Sequence, residues 1–88
     1  MVPAQEAMIT ASQCRAARGL LDWTQQKLAD AARIGVATVR QFEADGAETR
    51  HTTLVVLKWA FETAGVEFID ENGGGSGVRL RKRQQKED

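Results

Sequence analysis

The sequence predicts a mainly α-helical domain that ends in a β-hairpin. Three observations lead to this prediction. Apolar residues recur every three or four positions through most of residues 11–64, and they alternate with polar residues from 66 onward. A chain of 88 residues can also enclose one modest core and no second one. We therefore expect a flexible arm over 1–9, a helical domain over 10–65, a hairpin over 66–81 and a flexible tail over 82–88.

The first helix is predicted from about Ala11 to Leu21. Thr10 and Gln13 have the Thr-x-x-Gln spacing of a capping box, in which each side chain accepts the backbone amide of the other residue. After this start, apolar side chains recur at helical spacing, and the arginines between them are expected to turn away from the core. The apolar positions are Cys14, Ala17 and Leu21, and the arginines are Arg15 and Arg18.

The segment from Thr24 to Ala44 predicts two short helices joined by a tight turn, which is the layout of a helix-turn-helix. Thr24 is suited to cap the first of these helices. Apolar positions define one face of each helix: Leu28, Ala29 and Ala32 in the first, and Val39 and Phe42 in the second. In this layout the second helix, from about 36 to 44, presents its outer face to a DNA major groove.

A last helix and a hairpin complete the prediction. Asp45-Gly46 is expected to end the preceding helix, and the last helix is expected to start at His51 or Thr52 and to run to Gly65. Its predicted core face consists of Leu54, Leu57, Phe61 and Ala64. The segments VEFID and GVRLR then alternate like strands around the turn sequence DENGGGSG, with Glu67 facing the arginines of the second strand.

With these residues in place, the chain resembles the Xre family of lambda repressor and Cro. The similar segments are TQQKLADAA, TVRQFEADG and TLVVLKWAFETAG, and small bacterial members of the family continue into segments like GVEFIDENG and GVRLR. The resemblance implies a lambda-repressor-like four-helix fold and a regulator of transcription, with repression the expected outcome. It also implies that the second helix of the pair reads base edges.

Two sets of DNA contacts follow. The residues expected to read bases are Val36, Ala37, Thr38, Arg40 and Gln41. Arginine suits guanine and glutamine suits adenine, because each can form two hydrogen bonds with that base in the major groove. The residues expected to meet phosphates are Thr24, Gln25, Lys27, Arg33 and Arg50.

The turn departs from the usual pattern of the family. Arg33 stands where the family often has a glycine in the left-handed conformation, and Gly35 replaces the usual Ser or Thr cap. A non-glycine residue in that conformation costs on the order of 1 kcal/mol. The turn is therefore expected either to be slightly strained at Arg33 or to be reshaped through Gly35.

The last helix carries a second apolar stripe beside its core face, formed by Val55, Val56 and Trp59. Such a stripe marks an interface with a second chain, or is covered by the hairpin of its own chain; both remain open, and they are compatible. The full set expected at a homodimer interface is Val55, Val56, Trp59, Val66, Phe68, Ile69, Val78 and Leu80. A two-fold dimer predicts an inverted-repeat operator with half-sites about one helical turn apart.

The run RLRKR, residues 79–83, is the one strong cationic cluster. It either touches DNA as a wing or pairs with Glu67, Asp70 and Glu71 on the hairpin, and the second interpretation is slightly favoured.

The exposed strand edge also suits a rival function, a protein-interaction module such as an antitoxin or an anti-activator. The glycine-rich turn is not a phosphate loop, because a strand follows it and no Lys-Ser or Lys-Thr pair does.

Composition excludes several classes. Twelve Lys and Arg balance twelve Asp and Glu, so affinity for DNA must come from local clusters. One Cys and one His offer neither a disulfide, nor a metal cluster, nor a catalytic pair, so we expect no cofactor and no enzyme. Cys14 is expected to be a buried small residue, and His51 a capping or exposed one. No segment suits a bilayer, so the expected place is the cytoplasm, on the nucleoid when DNA is bound.

Overall fold

The computed structural model describes residues 8–44 and 49–81. Within them, four helices precede a two-stranded antiparallel sheet, which confirms the mainly helical prediction with a C-terminal hairpin. The elements are α1 Ala11–Leu21, α2 Gln25–Ala32, α3 Val36–Ala44, α4 His51–Thr63, β1 Val66–Ile69 and β2 Gly77–Leu80. Most of the predicted arm, the Asp45-Gly46 helix end and the predicted tail lie outside the described residues.

The predicted capping box is present at the start of α1. Thr10 Oγ1 accepts from the Gln13 amide at 3.1 Å, and Gln13 Oε1 accepts from the Thr10 amide at 3.0 Å. The helix ends at Asp22, which takes the left-handed conformation with φ 61°. A local sequence signal therefore accounts for the start of α1, and the left-handed conformation of Asp22 marks its end.

The turn between α2 and α3 keeps the left-handed conformation. Thr24 Oγ1 caps α2 by accepting from the Lys27 amide at 3.0 Å, and Arg33 ends the helix with φ 61° and ψ 45°. Gly35 has no positive φ; its carbonyl accepts from the amides of Thr38 and Val39 in the first turn of α3. Of the two expected outcomes, strain at Arg33 is therefore the correct one, and the turn is not reshaped through Gly35.

One apolar core joins the helices and the hairpin. Its largest fully buried side chains are Phe42, Phe61, Leu28, Leu57, Val39, Val66 and Cys14. Two expectations need correction. Ile9, placed in the flexible arm, is only 4% exposed and belongs to the core. Ala64 is exposed because α4 ends one residue earlier, and Ala60 is buried on the core side instead.

The hairpin packs against α1 and α4, and its two strands are antiparallel. Glu67 lies opposite Arg79, and their side chains form an ion pair at 2.8 Å, as expected. At the loop end of the strands, Gln13 Nε2 donates to the carbonyls of Ile69 at 3.3 Å and Gly77 at 3.0 Å. Gln13, the second member of the capping box of α1, therefore also fastens the hairpin to the helical core.

Candidate nucleic-acid interface

The outer face of α3 carries most of the residues predicted to read bases. Ala37, Thr38, Arg40 and Gln41 are exposed, whereas Val36 is half-buried and packs against the core. On the opposite side Val39, Phe42 and Glu43 are buried, so helical periodicity alone separates the two faces. Four of the five predicted side chains are thus available to a ligand, and Val36 can offer only part of its surface.

Glu43, at the inner side of the end of α3, binds three side chains from other helices. Arg18 on α1 donates to both carboxylate oxygens, with Nε–Oε2 at 2.7 Å and Nη2–Oε1 at 2.8 Å. Gln25 on α2 donates to Oε1 at 2.9 Å, and Cys14 Sγ donates to Oε2 at 3.1 Å. Arg15 also donates to the main-chain oxygen of Glu43. This cluster fixes α3 relative to α1 and α2.

The cluster also sets the protonation of its members. Burial raises the pKa of the Glu43 carboxyl, but hydrogen bonds from Arg18, Gln25 and Cys14 outweigh it, and the net pKa lies below its ordinary value. The pKa of Arg18 is raised, chiefly by its hydrogen bond to Glu43. Burial is the main cause of a raised pKa at Cys14, followed by the hydrogen bond to Glu43. Cys14 is therefore a neutral thiol donor, and it is buried as expected.

The cluster bears on two predictions, and it contradicts the one for Arg18. Arg18 was expected to turn away from the core, yet its side chain is only 21% exposed and pairs with the buried Glu43. Gln25 was expected to contact phosphate; its amide nitrogen donates one hydrogen bond to Glu43 inside the protein, and the phosphate contact stays a prediction. Position 43 falls four residues after Val39, on the apolar side of α3. This spacing is the sequence signal that predicts burial of Glu43.

The remaining residues predicted to meet phosphates lie at the surface. Thr24, Lys27, Arg33 and Arg50 are all exposed. Lys27 Nζ lies 5.9 Å from the centre of the Trp23 ring. Arg50 occupies the cap position of α4 and makes no side-chain capping bond. None of these four belongs to an ion pair within residues 8–44 and 49–81.

A polar groove brings α3 and the start of α4 together. It has a volume of about 210 Å³ and is lined by Thr38, Gln41, Thr49, Arg50 and Thr53. The groove thus joins two predicted base-reading residues to one predicted phosphate contact. Thr49 and Thr53 were not predicted, because the sequence does not tell how the start of α4 lies against α3.

The predicted dimer residues do not form one surface. Val66 is fully buried in the core of its own chain, so its expected place in a dimer interface is wrong. Val56, Phe68 and Val78 are partly buried and pack against the same core, and Ile69 is half-buried on the hairpin. The clearly exposed members of the set are Val55 at 44%, Trp59 at 57% and Leu80 at 49%. The hairpin of the same chain therefore leaves most of Trp59 uncovered.

Other classes of site find little support in the described part of the chain. No group of three or more His, Cys, Asp or Glu side chains is placed to hold a metal there. No helix among those residues is long and apolar enough to cross a membrane. In the glycine-rich turn, the Glu71 carboxylate accepts from the amides of Gly73 at 3.0 Å and Gly75 at 3.1 Å, so an internal acid already occupies these amides.

Neither a protein-family model nor a curated protein gives a significant match to the sequence.

Proposed function

We propose that the protein is a sequence-specific DNA-binding regulator of transcription, with a lambda-repressor-like fold, that binds an inverted-repeat operator as a homodimer. The groove between α3 and α4 is the observation that carries the proposal. It adjoins the exposed polar face of α3 and continues to Arg50, so side chains suited to bases and to phosphate lie next to each other.

In this function α3 lies in the major groove. Arg40 pairs with the O6 and N7 atoms of guanine, and Gln41 pairs with adenine, each contact discriminating by about 1 to 3 kcal/mol. Arg50, which lines the same groove as Gln41, meets the phosphate backbone. The Glu43 cluster supports this readout because it fixes the angle of α3 on α1 and α2.

Selection from a random pool of DNA duplexes tests the proposal. The wild-type protein should enrich an inverted repeat with half-sites about 34 to 36 Å apart. Replacing Arg40 and Gln41 together with Ala should lower the ratio of specific to non-specific affinity by about 30-fold or more for each half-site, since two discriminating contacts are lost there. Both residues are exposed, so the fold should survive.

Arg79→Ala is the matched control. Arg79 is an exposed arginine that pairs with Glu67 on the hairpin, away from α3. Its loss should leave the specificity ratio unchanged, and any effect on affinity should be equal for all sequences. The proposal fails if no sequence is enriched, or if the double variant keeps the specificity of the wild type.

A second candidate function rests on the outer edge of β2. Gly65 O accepts from Arg81 N at 2.7 Å, so hydrogen-bonded pairs alternate along the ladder from that position. Val78 and Leu80 then occupy non-hydrogen-bonded positions, with backbone amides and carbonyls directed away from β1. With arginines at 79 and 81, this edge suits an acidic extended segment of another protein, as in an antitoxin or anti-activator.

Leu80→Pro tests this second candidate. Proline removes an amide that points outward from the hairpin, so it should block strand addition and leave the ladder within the hairpin intact. A protein captured from extracts of the native host by the wild type and lost with Leu80→Pro would favour the interaction module. Equal capture by both would reject the β2 edge as the binding site.

A further inference from the structure

An apolar hollow on the outer face of α4 lies beside a protruding aromatic side chain. Trp59 is 57% exposed and Val55, one helical turn earlier, is 44% exposed. Together with Met8, Lys58 and Glu62 they line a cavity of about 290 Å³. Exposed tryptophan is costly in water and is enriched at the centres of protein interfaces.

The same patch carries one charge of each sign. Lys58 Nζ and Glu62 Oε2 form an ion pair at 2.7 Å along the helix, and both side chains remain partly exposed, at 23% and 44%. If two copies of α4 pack antiparallel across a two-fold axis, Lys58 of each copy faces Glu62 of the other. The patch therefore combines a protruding Trp59, a hollow beside it and charges of both signs. Such a patch can be complementary to a second copy of itself, as a two-fold contact requires.

The hairpin does not share this surface. Lys58 Nζ lies 6.0 Å from the centre of the Phe68 ring, so its side chain stands between the hollow and β1. Leu80, the remaining exposed apolar residue of the hairpin, lies on β2 among arginines. Two copies paired through β2 would bring these like charges together, which is unfavourable.

We propose that a second copy of the chain binds on α4, with Trp59 of each protomer seated in the hollow bounded by Met8, Val55, Lys58 and Glu62 of the other. The inference deepens the proposed function, which requires a dimer, but its test contains no DNA. The experiment can therefore reject the α4 dimer contact without bearing on DNA binding through α3, and the reverse holds for the selection experiment.

Analytical ultracentrifugation of the purified full chain tests the contact. The wild type should sediment with the mass of two chains, and Trp59→Ala should raise the dimer dissociation constant at least 30-fold, roughly, as for a central aromatic residue. Leu80→Ala is the matched control, since it removes an equally exposed apolar side chain elsewhere, and its mass should not change. Circular dichroism checks that each variant is folded.

A charge exchange tests the antiparallel arrangement. Lys58→Glu and Glu62→Lys should each weaken self-association, because each places like charges across the contact. An equimolar mixture of the two variants should form a heterodimer, since every facing pair is then of opposite sign. A monomeric wild type, an unchanged dimer in Trp59→Ala, a mass shift in Leu80→Ala alone, or a mixture that stays monomeric would each overturn the proposal.

Discussion

At the end of α3 the carboxylate of Glu43 accepts hydrogen bonds from side chains on two other helices. Its side chain is only 4% exposed, so this negative charge is stabilised by its partners rather than by water. If Glu43 or Arg18 is removed, the partner's charge is left without an opposite charge to balance it. These polar contacts therefore hold the orientation of α3 together with the buried side chains of Val39 and Phe42.

We predict that Glu43→Gln lowers the free energy of unfolding by about 2 to 3 kcal/mol, since the charge-assisted bonds from Arg18 are lost. Urea denaturation measures the change. Glu67→Gln is the control, because it breaks the Glu67–Arg79 ion pair, whose side chains are 38% and 68% exposed. This exposed pair should contribute less than about 1 kcal/mol. Equal losses in both variants would contradict the special role of Glu43.

The lowered pKa of Glu43 also predicts the direction of a pH effect. The unfolded chain binds a proton at the ordinary carboxyl pKa of about 4.3, whereas the folded protein binds it only at lower pH. The stabilisation is thus complete above that ordinary value and is lost as the pH falls through the lower, folded value. The difference in unfolding free energy between wild type and Glu43→Gln should shrink in acid. A constant difference would show that the Glu43 charge does not stabilise the fold.

The left-handed backbone conformation of Arg33 lowers the stability of the folded protein. We predict that Arg33→Gly raises the free energy of unfolding by up to about 1 kcal/mol, because glycine takes the left-handed conformation without strain. If Arg33 contacts phosphate, the same variant binds DNA more weakly although it is more stable. Asp22→Gly is the control: it relieves the same conformation at the end of α1, and it should leave DNA affinity unchanged. Thermal unfolding and DNA titration separate the two effects.

The elements themselves could be predicted where their signals are local. The caps at Thr10 and Thr24 and the change of period at Val66 gave the start of α1, the start of α2 and the hairpin. The Glu43 cluster and the groove beside α3 could not be predicted, because they depend on how separate helices lie against each other. Gln13 illustrates both cases: its cap is local, but its bonds to the hairpin span 56 and 64 residues.

We predict that Gln13→Ala destabilises the hairpin more than the rest of the fold. The variant loses one bond of the capping box, in which Gln13 Oε1 accepts from the Thr10 amide, and the two bonds that hold the ends of β1 and β2, each bond worth about 1 kcal/mol. Thr10→Ala is the matched control, because it removes the other bond of the capping box, in which Thr10 Oγ1 accepts from the Gln13 amide, and leaves both bonds to the hairpin. Hydrogen exchange should show faster exchange of the hairpin amides in Gln13→Ala than in Thr10→Ala. Identical exchange in the two variants would mean that Gln13 does not fasten the hairpin.

In the molecule as a whole, the positive and negative charges are equal in number but are not evenly distributed over the surface. The net charge is zero, and the ion pairs found within residues 8–44 and 49–81 lie inside the core, on α4 and across the hairpin. Lys27, Arg33, Arg40 and Arg50 take no part in those pairs and stand on α2, α3 and the adjoining turns. For the proposed function, affinity for DNA arises from these cations rather than from the overall charge.

The dependence of DNA affinity on salt should therefore report how many protomers are bound. Each phosphate contact contributes about −0.9 to the slope of log affinity against log salt concentration. A dimer makes every contact twice, so the wild type should show about double the slope of Trp59→Ala, which leaves α3 unchanged but is expected to be monomeric. Titration of the selected operator at several salt concentrations measures both slopes. Equal slopes from a dimeric wild type and a monomeric variant would mean that only one protomer contacts the DNA, which contradicts recognition of an inverted repeat.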